Sequence, residues 1–535
     1  MTGTYTVSDH LLDRLGELGV GHVFGVPGDY TLTLLDHVVR HRDLRWVGCT
    51  NELNAGYAAD GYGRMRGIAA LLTTFGVGEL SAINAITGSY AEHVPVVHVV
   101  GGPSSGIQSA QRIVHHSLGD GEFTQFLEMH ERITCARAAL TAEDATAEID
   151  RVLTTVRDQH LPGYLLLPSD VGEAPASPPQ EPLPPPGDIT DANALAAFTE
   201  AAGRLVHTAG GPAQVRLLVG LLVHRLGATP DLERLLAAGP LLHASTPWAK
   251  GIADESNPYF LGIYAGRASH PDLRAAIEEA AVLVVAGVLF TDLNSGFFTQ
   301  RITRGRTIEL GATTASVGEA TFGPVSMPAA LRSLAWIVEE GQGAQPRTTS
   351  PLPMPVPQTP SSGDTPLTQS LLWQAVASHL RPGDTVVAEQ GTSFYGMAPH
   401  RLPARGNFIG QPLWASIGYT LPAALGACLA EPDGRGVLLI GDGAAQMTVQ
   451  ELSTVLREGV RLLAVVVDND GYTVERAIHG PEEPYNDIPR WDWERLPDLY
   501  APGTPARSHV VRTAGELEEA LDDAGEAPGL TLVRA

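Results

Sequence analysis

Short apolar runs alternate with amphipathic stretches along most of the chain. Near the start, His22 to Val26, Arg45 to Cys49, Ala69 to Thr73 and Val94 to Val100 read as strands. Leu53 to Met65 and Gly78 to Ala91 between them carry apolar residues at helical spacing. Toward the end, Thr385 to Ala388, Val437 to Ile440 and Leu462 to Val467 predict strands, and Ala423 to Leu429 and Gln450 to Glu458 predict helices. The longest apolar run, Ala280 to Phe290, is far short of a membrane span and predicts a buried parallel strand. Such alternation implies parallel sheets with helices on both faces, and ligands at the carboxyl ends of the strands. The expected fold is α/β, with three doubly wound parallel-sheet domains.

Two stretches break the pattern. Ala176 to Gly187 contains PPQEPLPPPG, and Ser350 to Pro366 contains PLPMPVPQTPSSGDTP. Proline at this density is incompatible with helix or sheet interiors, so both predict extended linkers. They divide the chain into domains 1–175, 188–345 and 366–535. A length of 535 residues suits about three or four domains.

Composition narrows the possible partners. Hydrophobic residues make up 44% and charged residues 18%, which is ordinary globular usage. Acidic residues outnumber basic ones 60 to 35, for a formal charge of −25. That balance disfavours nucleic acid and anionic membranes as partners. The cysteines, Cys49, Cys135 and Cys428, show neither metal nor disulfide spacing, which fits a reducing cytoplasm. Asp9, Asp13, Arg14 and Glu17 stand where a signal peptide would need an apolar core. A cytoplasmic location is expected.

The chemistry concentrates at strand ends. Val437 to Ile440 runs into Gly441-Asp442-Gly443, and Leu462 to Val467 ends at Asp468-Asn469-Asp470-Gly471. Neighbouring strand ends would bring Asp442, Asn469 and a backbone carbonyl near Gly471 to one point. These are hard oxygen ligands suited to Mg2+ that also binds phosphate. Glycines allow close backbone approach, and the helix start adds N–H donors. Gly441-Asp442-Gly443 alone would read as a turn with a helix cap; the second element favours a cofactor.

The segments GDGAAQMTVQEL (441–452) and DNDGYTVERAIHG (468–480) resemble the diphosphate-binding domain of thiamin-diphosphate enzymes. More closely, they are similar to the indolepyruvate, branched-chain 2-keto acid and pyruvate decarboxylase group. The resemblance implies that Asp442, Asn469 and the Gly471 carbonyl bind Mg2+, and that Gly443, Ala444, Tyr472 and Val474 lie against thiamin diphosphate. One departure is Asp468, where the family usually has a second Asn; it adds negative charge near phosphate.

TNELNAGYAADGYGR (50–64) resembles the family's pyrimidine-domain motif. A lone Glu52 would otherwise read as a charge at a helix N-terminus. The resemblance implies that it hydrogen-bonds the aminopyrimidine and favours the tautomer that deprotonates the thiazolium. In the family this carboxylate and the metal site come from different subunits. A homodimer at minimum, and a tetramer beyond it, is therefore expected.

Asp29 ends a strand in GVPGD and alone reads as a turn. His115 and His116 are adjacent, so their rings are not expected to share a metal easily. Glu475 alone reads as a solvated helix residue. Together the four resemble the acid–base set of 2-keto acid decarboxylases. The implied roles are Glu475 near the departing carboxylate, His116 with Asp29 as proton donors, and His115 as an orienting group. Crowding of this kind shifts pKa values toward proton transfer. By the same resemblance EQGTSFYG (389–396) places Thr392 on the diphosphate, Ile417 supports the bent cofactor, and the Ala415 carbonyl faces the pyrimidine amino group. Leu293, Phe394, Tyr395 and Val474 would line the substrate pocket.

The implied activity is non-oxidative decarboxylation of a 2-keto acid to an aldehyde and CO2, through a thiamin diphosphate ylid and enamine. Val474 leaves room that favours aromatic or branched 2-keto acids over pyruvate. The alternative is a carboligase that forms acyloins from the same enamine. The segment KGIADESNPYFLGIYAG (250–266) extends the resemblance into the middle domain. Residues 529–535 form an apparent strand where relatives commonly continue into a helix that helps close the site, so a more open pocket is expected.

Overall fold

The computed structural model describes residues 4–341 and 363–535. It holds three sheets. The first contains β1 (His22–Gly25), β2 (Arg45–Gly48), β3 (Ala69–Thr74), β4 (Val96–Gly102), β5 (Ala136–Ala139) and β6 (Gly163–Pro168). The second contains β7 (Val215–Val219), β8 (Leu242–Ser245), β9 (Phe260–Ile263), β10 (Val282–Ala286), β11 (Thr307–Leu310), β12 (Ala315–Val317) and β13 (Ala320–Phe322). The third contains β14 (Thr385–Ala388), β15 (Asn407–Ile409), β16 (Gly436–Gly441), β17 (Leu462–Val467), β18 (Arg507–Val510) and β19 (Thr531–Arg534).

The first sheet runs β2-β1-β3-β4-β6-β5 and the third β15-β14-β16-β17-β19-β18. Both are parallel throughout. Their central strands are buried on both faces, and so appear in the sequence as unbroken apolar runs rather than alternating ones. The middle sheet departs from the all-parallel expectation. It runs β13-β12-β11-β10-β7-β8-β9, with β12 and β13 antiparallel at one edge. That edge is a short hairpin with little burial, so it leaves no apolar run to read. The strand expected over Ala280 to Phe290 is the shorter β10.

The first and third domains share one core. Helix Glu52–Arg66 lies against helix Thr420–Ala430, and residues of both join the largest apolar cluster. The approach is backbone to backbone. A Cβ on Gly61 would fall 2.1 Å from the Ala423 carbonyl oxygen, and one on Gly426 1.8 Å from that of Ala58. Beside this contact Arg64 is buried with Asp60 at 2.6 Å and Glu92 at 2.9 Å, while the Tyr419 hydroxyl donates to Asp60. Buried charges persist only when paired in this way. The middle domain attaches to the third through Lys250, whose ammonium meets Glu255 at 2.8 Å and donates to the His400 carbonyl. Glu255 also accepts the Leu402 N–H.

The first proline-rich stretch has no regular structure through Gly187 but is strapped down. Arg14 donates to the Glu181 carbonyl, and the Leu183 N–H donates to Glu17. Residues 350–362 of the second stretch, and 342–345 of the expected middle domain, lie outside the described residues. Among the described residues no helix is long and apolar enough to cross a membrane.

Candidate active site

Two clusters form at the carboxyl ends of the first and third sheets. The cluster on the third sheet starts where β16 ends. Asp442 is buried there and accepts the N–H groups of Gly443 at 2.8 Å and Gly471 at 3.1 Å. Burial pushes its carboxyl up to about 6. The Asn469 side-chain oxygen is buried with no hydrogen-bond partner. A buried carboxylate beside an orphaned amide oxygen is a costly pair of acceptors without a cation. Both are hard oxygen donors, and the arrangement fits Mg2+. The Gly471 carbonyl accepts the Thr473 N–H, leaving one lone pair for a further contact. Gly443 is bare because the Tyr472 ring packs on it; a Cβ there would lie 2.6 Å from that ring. Ala444 is buried directly after it.

Asp468, the departure from the family pattern, does not leave a free charge. Arg534, at the end of β19, donates to it at 2.6 Å. Sequence reasoning missed Arg534 because 66 positions separate the two. The only available signal was a lone cation ending an apolar strand.

Two further loops complete this cluster. Thr392 opens the short helix Thr392–Met397 after β14. The Val474 methyl would lie 3.5 Å from a Cβ on Gly391, which puts Val474 over the Thr392 loop. In the second loop Ala415 holds a left-handed φ of 55°, a conformation that non-glycine residues keep only under surrounding constraint. Its N–H donates to the Gln411 carbonyl. Ile417 is half-buried against the shared core, and Ser416 is bonded to the Tyr57 hydroxyl at 2.6 Å. Glu389, unremarked in the sequence although it opens EQGTSFYG, joins the two loops. It is buried, accepts the Thr420 hydroxyl at 2.6 Å, and burial raises its carboxyl to about 7.

The cluster on the first sheet contains Glu52, Asp29, His115 and His116. Asp29 and His115 are bonded at 2.7 Å. The Tyr30 ring stacks on His115 with centroids 4.9 Å apart and fixes its plane. His116 adopts a left-handed φ of 63°. That turn carries both rings to one side of the loop. The His115 and His116 rings meet edge to face at 4.6 Å, and one ligand-capable atom from each of Asp29, His115 and His116 lies within 4.8 Å of the others. Glu52 opens its helix behind the N-cap Asn51. Its carboxylate lies 3.3 Å from where a Cβ on Gly78 would stand.

Glu475 is exposed on the short helix Thr473–Ile478 of the other cluster. Among the described residues, no hydrogen bond or ion pair joins Glu52, Asp29, His115 or His116 to Asp442, Asn469 or Glu475 of the same chain. The expected pocket residues also separate. Leu293 and Tyr395 line one cavity of about 370 Å³, with Leu261, Ile263 and Leu273 of the middle domain. Phe394 is fully buried instead, packed on Phe408.

Residues 5–126, 202–333 and 391–535 match the N-terminal TPP binding domain, the central domain and the C-terminal TPP binding domain of thiamine pyrophosphate enzymes. The chain is 57% identical over 517 residues to a protein of Mycobacterium tuberculosis named alpha-keto-acid decarboxylase, covering 97% of this chain and 91% of that one. A Mycobacterium ulcerans protein of the same name is 56% identical over 525 residues, 98% of this chain and 91% of its own. The solved thiamine diphosphate-dependent 4-hydroxybenzoylformate decarboxylase of Rhodococcus jostii RHA1 shares the fold, with a TM-score of 0.77, 23% identity and 99% of each chain covered.

Proposed function

The chain belongs to the thiamine pyrophosphate enzyme family, and on that premise we propose that it decarboxylates 2-keto acids to aldehydes with Mg2+ and thiamin diphosphate bound between two subunits. Bound thiamin diphosphate supplies the nucleophilic carbon and accepts the electron pair that CO2 leaves behind. The residues of the chain do the rest. Asp442, Asn469 and the Gly471 carbonyl hold the magnesium, and Thr392 meets the diphosphate. Ile417 supports the ring, and the constrained turn at Ala415 fixes its carbonyl. Glu52 holds a proton on the aminopyrimidine ring. Glu475 faces the substrate carboxylate, and Asp29 with His115 and His116 delivers the proton that releases aldehyde.

The observation that carries this reading is the convergence of Asp29, His115 and His116 within 4.8 Å. A decarboxylase must deliver a proton to the carbon that CO2 leaves, whereas a carboligase bonds that carbon to an aldehyde, so a group of this kind favours the decarboxylase. A homodimer is supported by the lack, among the described residues, of any hydrogen bond or ion pair joining Glu52, Asp29, His115 or His116 to Asp442, Asn469 or Glu475 of the same chain. Large apolar side chains stand exposed beside them, among them Val77, Trp414, Met447 and Ile478. Exposed apolar groups around half of a site mark an interface. The Leu293–Tyr395 cavity contains no lysine or arginine and is walled mainly by apolar groups, which suits an aromatic or branched substrate side chain. Three unpaired cysteines suit a reducing cytoplasm.

The test is to incubate the protein with thiamin diphosphate, Mg2+ and a panel of 2-keto acids from pyruvate to phenylpyruvate and indolepyruvate, measuring CO2, aldehyde and acyloin. Aldehyde should dominate, with the larger apolar substrates turned over faster. Acyloin as the main product, or no CO2 from any substrate, would sink the reading.

A further inference from the structure

Beneath the histidine pair lies a buried carboxylate that the chemistry above does not use. Glu79 is fully buried in the first turn of helix Val77–Ala91. One carboxylate oxygen accepts the Gly76 N–H at 2.8 Å, and the other accepts the Tyr164 hydroxyl at 2.7 Å. Tyr164 in turn belongs to a buried apolar cluster with Phe75, Phe123 and Phe126.

The turn it holds serves both reacting groups of the first sheet. Gly76 has a φ of 64°, and a Cβ there would sit 2.0 Å from the His116 carbonyl oxygen. The histidine loop therefore rests directly on the bare Gly76 backbone. Two residues on, Gly78 faces the Glu52 carboxylate. A helix-capping glutamate need accept only one backbone N–H. Glu79 is instead sealed from water and pinned at its second oxygen by Tyr164 on β6. Burial raises its carboxyl to about 7, a cost that capping alone does not require.

We propose that Glu79 is a positioning residue: through Gly76 and Gly78 it sets where His116 and Glu52 stand, and so controls delivery of the product-releasing proton. This rests on the decarboxylase reading. The neighbouring His130 does not share the task, because its Nδ1 bonds the Phe126 carbonyl at 2.7 Å and lies 3.9 Å from Glu79.

The test compares wild type, Glu79→Ala, Glu79→Gln and Tyr164→Phe, measuring kcat, KM, thiamin diphosphate affinity and the acyloin-to-aldehyde ratio. Misplacement of a proton-transfer group by an ångström costs about 100-fold in rate. Glu79→Ala should lose kcat on that scale, bind the cofactor normally, and release more acyloin because protonation is the step impaired. Glu79→Gln, whose amide oxygen can still accept the Gly76 N–H, should recover most of the rate. Tyr164→Phe should shift the product ratio in the same direction, and it carries the test if Glu79→Ala does not fold. Folded variants with unchanged kcat and product ratio would overturn the proposal. So would a loss that tracks cofactor affinity alone. A wild type that makes no aldehyde would overturn the decarboxylase reading instead.

Discussion

The Glu451 carboxylate lies 2.6 Å from the Thr50 hydroxyl, and the same oxygen accepts the Asn54 side-chain amide at 2.9 Å. Thr50 and Asn54 flank Glu52, and Glu451 lies nine positions after Asp442. Each chain thus ties the start of the helix that Glu52 opens to its own segment after Asp442 through a clamp of buried Glu451 and Asn54 with Thr50. Among the described residues no hydrogen bond or ion pair joins Glu52 itself to Asp442 or Asn469.

Glu52→Gln removes the carboxylate proposed to meet the aminopyrimidine while keeping shape and packing. Turnover should fall by at least about 100-fold, the scale of a lost acid–base group. Cofactor content after desalting and the thermal transition should stay near wild type. Glu475→Gln should show the same pattern, with full cofactor content and crippled turnover. Loss of bound thiamin diphosphate in either variant would move that residue from chemistry to binding.

Arg534→Gln leaves Asp468 uncompensated beside the site assigned to magnesium and diphosphate. The added repulsion should weaken thiamin diphosphate binding by about tenfold, on the scale of one partly buried charge pair. The double variant Asp468→Asn with Arg534→Gln should restore it. Titration of the apoprotein at fixed Mg2+ checks both, and unchanged affinity in Arg534→Gln would show the pair to be irrelevant to the cofactor.

Glu389 gives a pH dependence of stability. Its carboxyl is raised by burial from 4.5 to about 7 in the folded protein. Its contribution is therefore fully present below the unfolded value and is lost as pH rises through about 7. Glu389→Gln can keep an acceptor for the Thr420 hydroxyl without ionising. Its Tm should rise relative to wild type between pH 4.5 and 7 and run parallel to it above. Parallel curves across the whole range would contradict the assignment.

Legibility in the sequence followed burial. Thr385–Ala388 and Leu462–Val467 have the expected bounds because strands buried on both faces are unbroken apolar runs. The middle-sheet hairpin at 315–322 is short and partly exposed, and left no such mark. Asp442 and Asn469 stood out as candidate ligands because each stands just past an apolar run, Val437 to Ile440 and Leu462 to Val467. What pairs across the fold was not. Arg534 meets Asp468 only once β17 and β19 lie side by side. The shared side of His115 and His116 depends on a backbone turn that residue type does not encode. Glu79 sits in GVGEL, where a glycine followed three positions later by glutamate signals a helix cap and conceals its second bond to Tyr164.

The central claim is that each active site joins Glu52 of one subunit to Asp442 and Asn469 of the other. Glu52→Gln and Asp442→Ala chains carrying different tags can be co-expressed and the heterodimer purified through both tags. Each parent homodimer should be inactive. The heterodimer should regain about half of the wild-type activity, because one of its two sites draws both intact residues from different chains. A heterodimer as inactive as its parents would contradict the account.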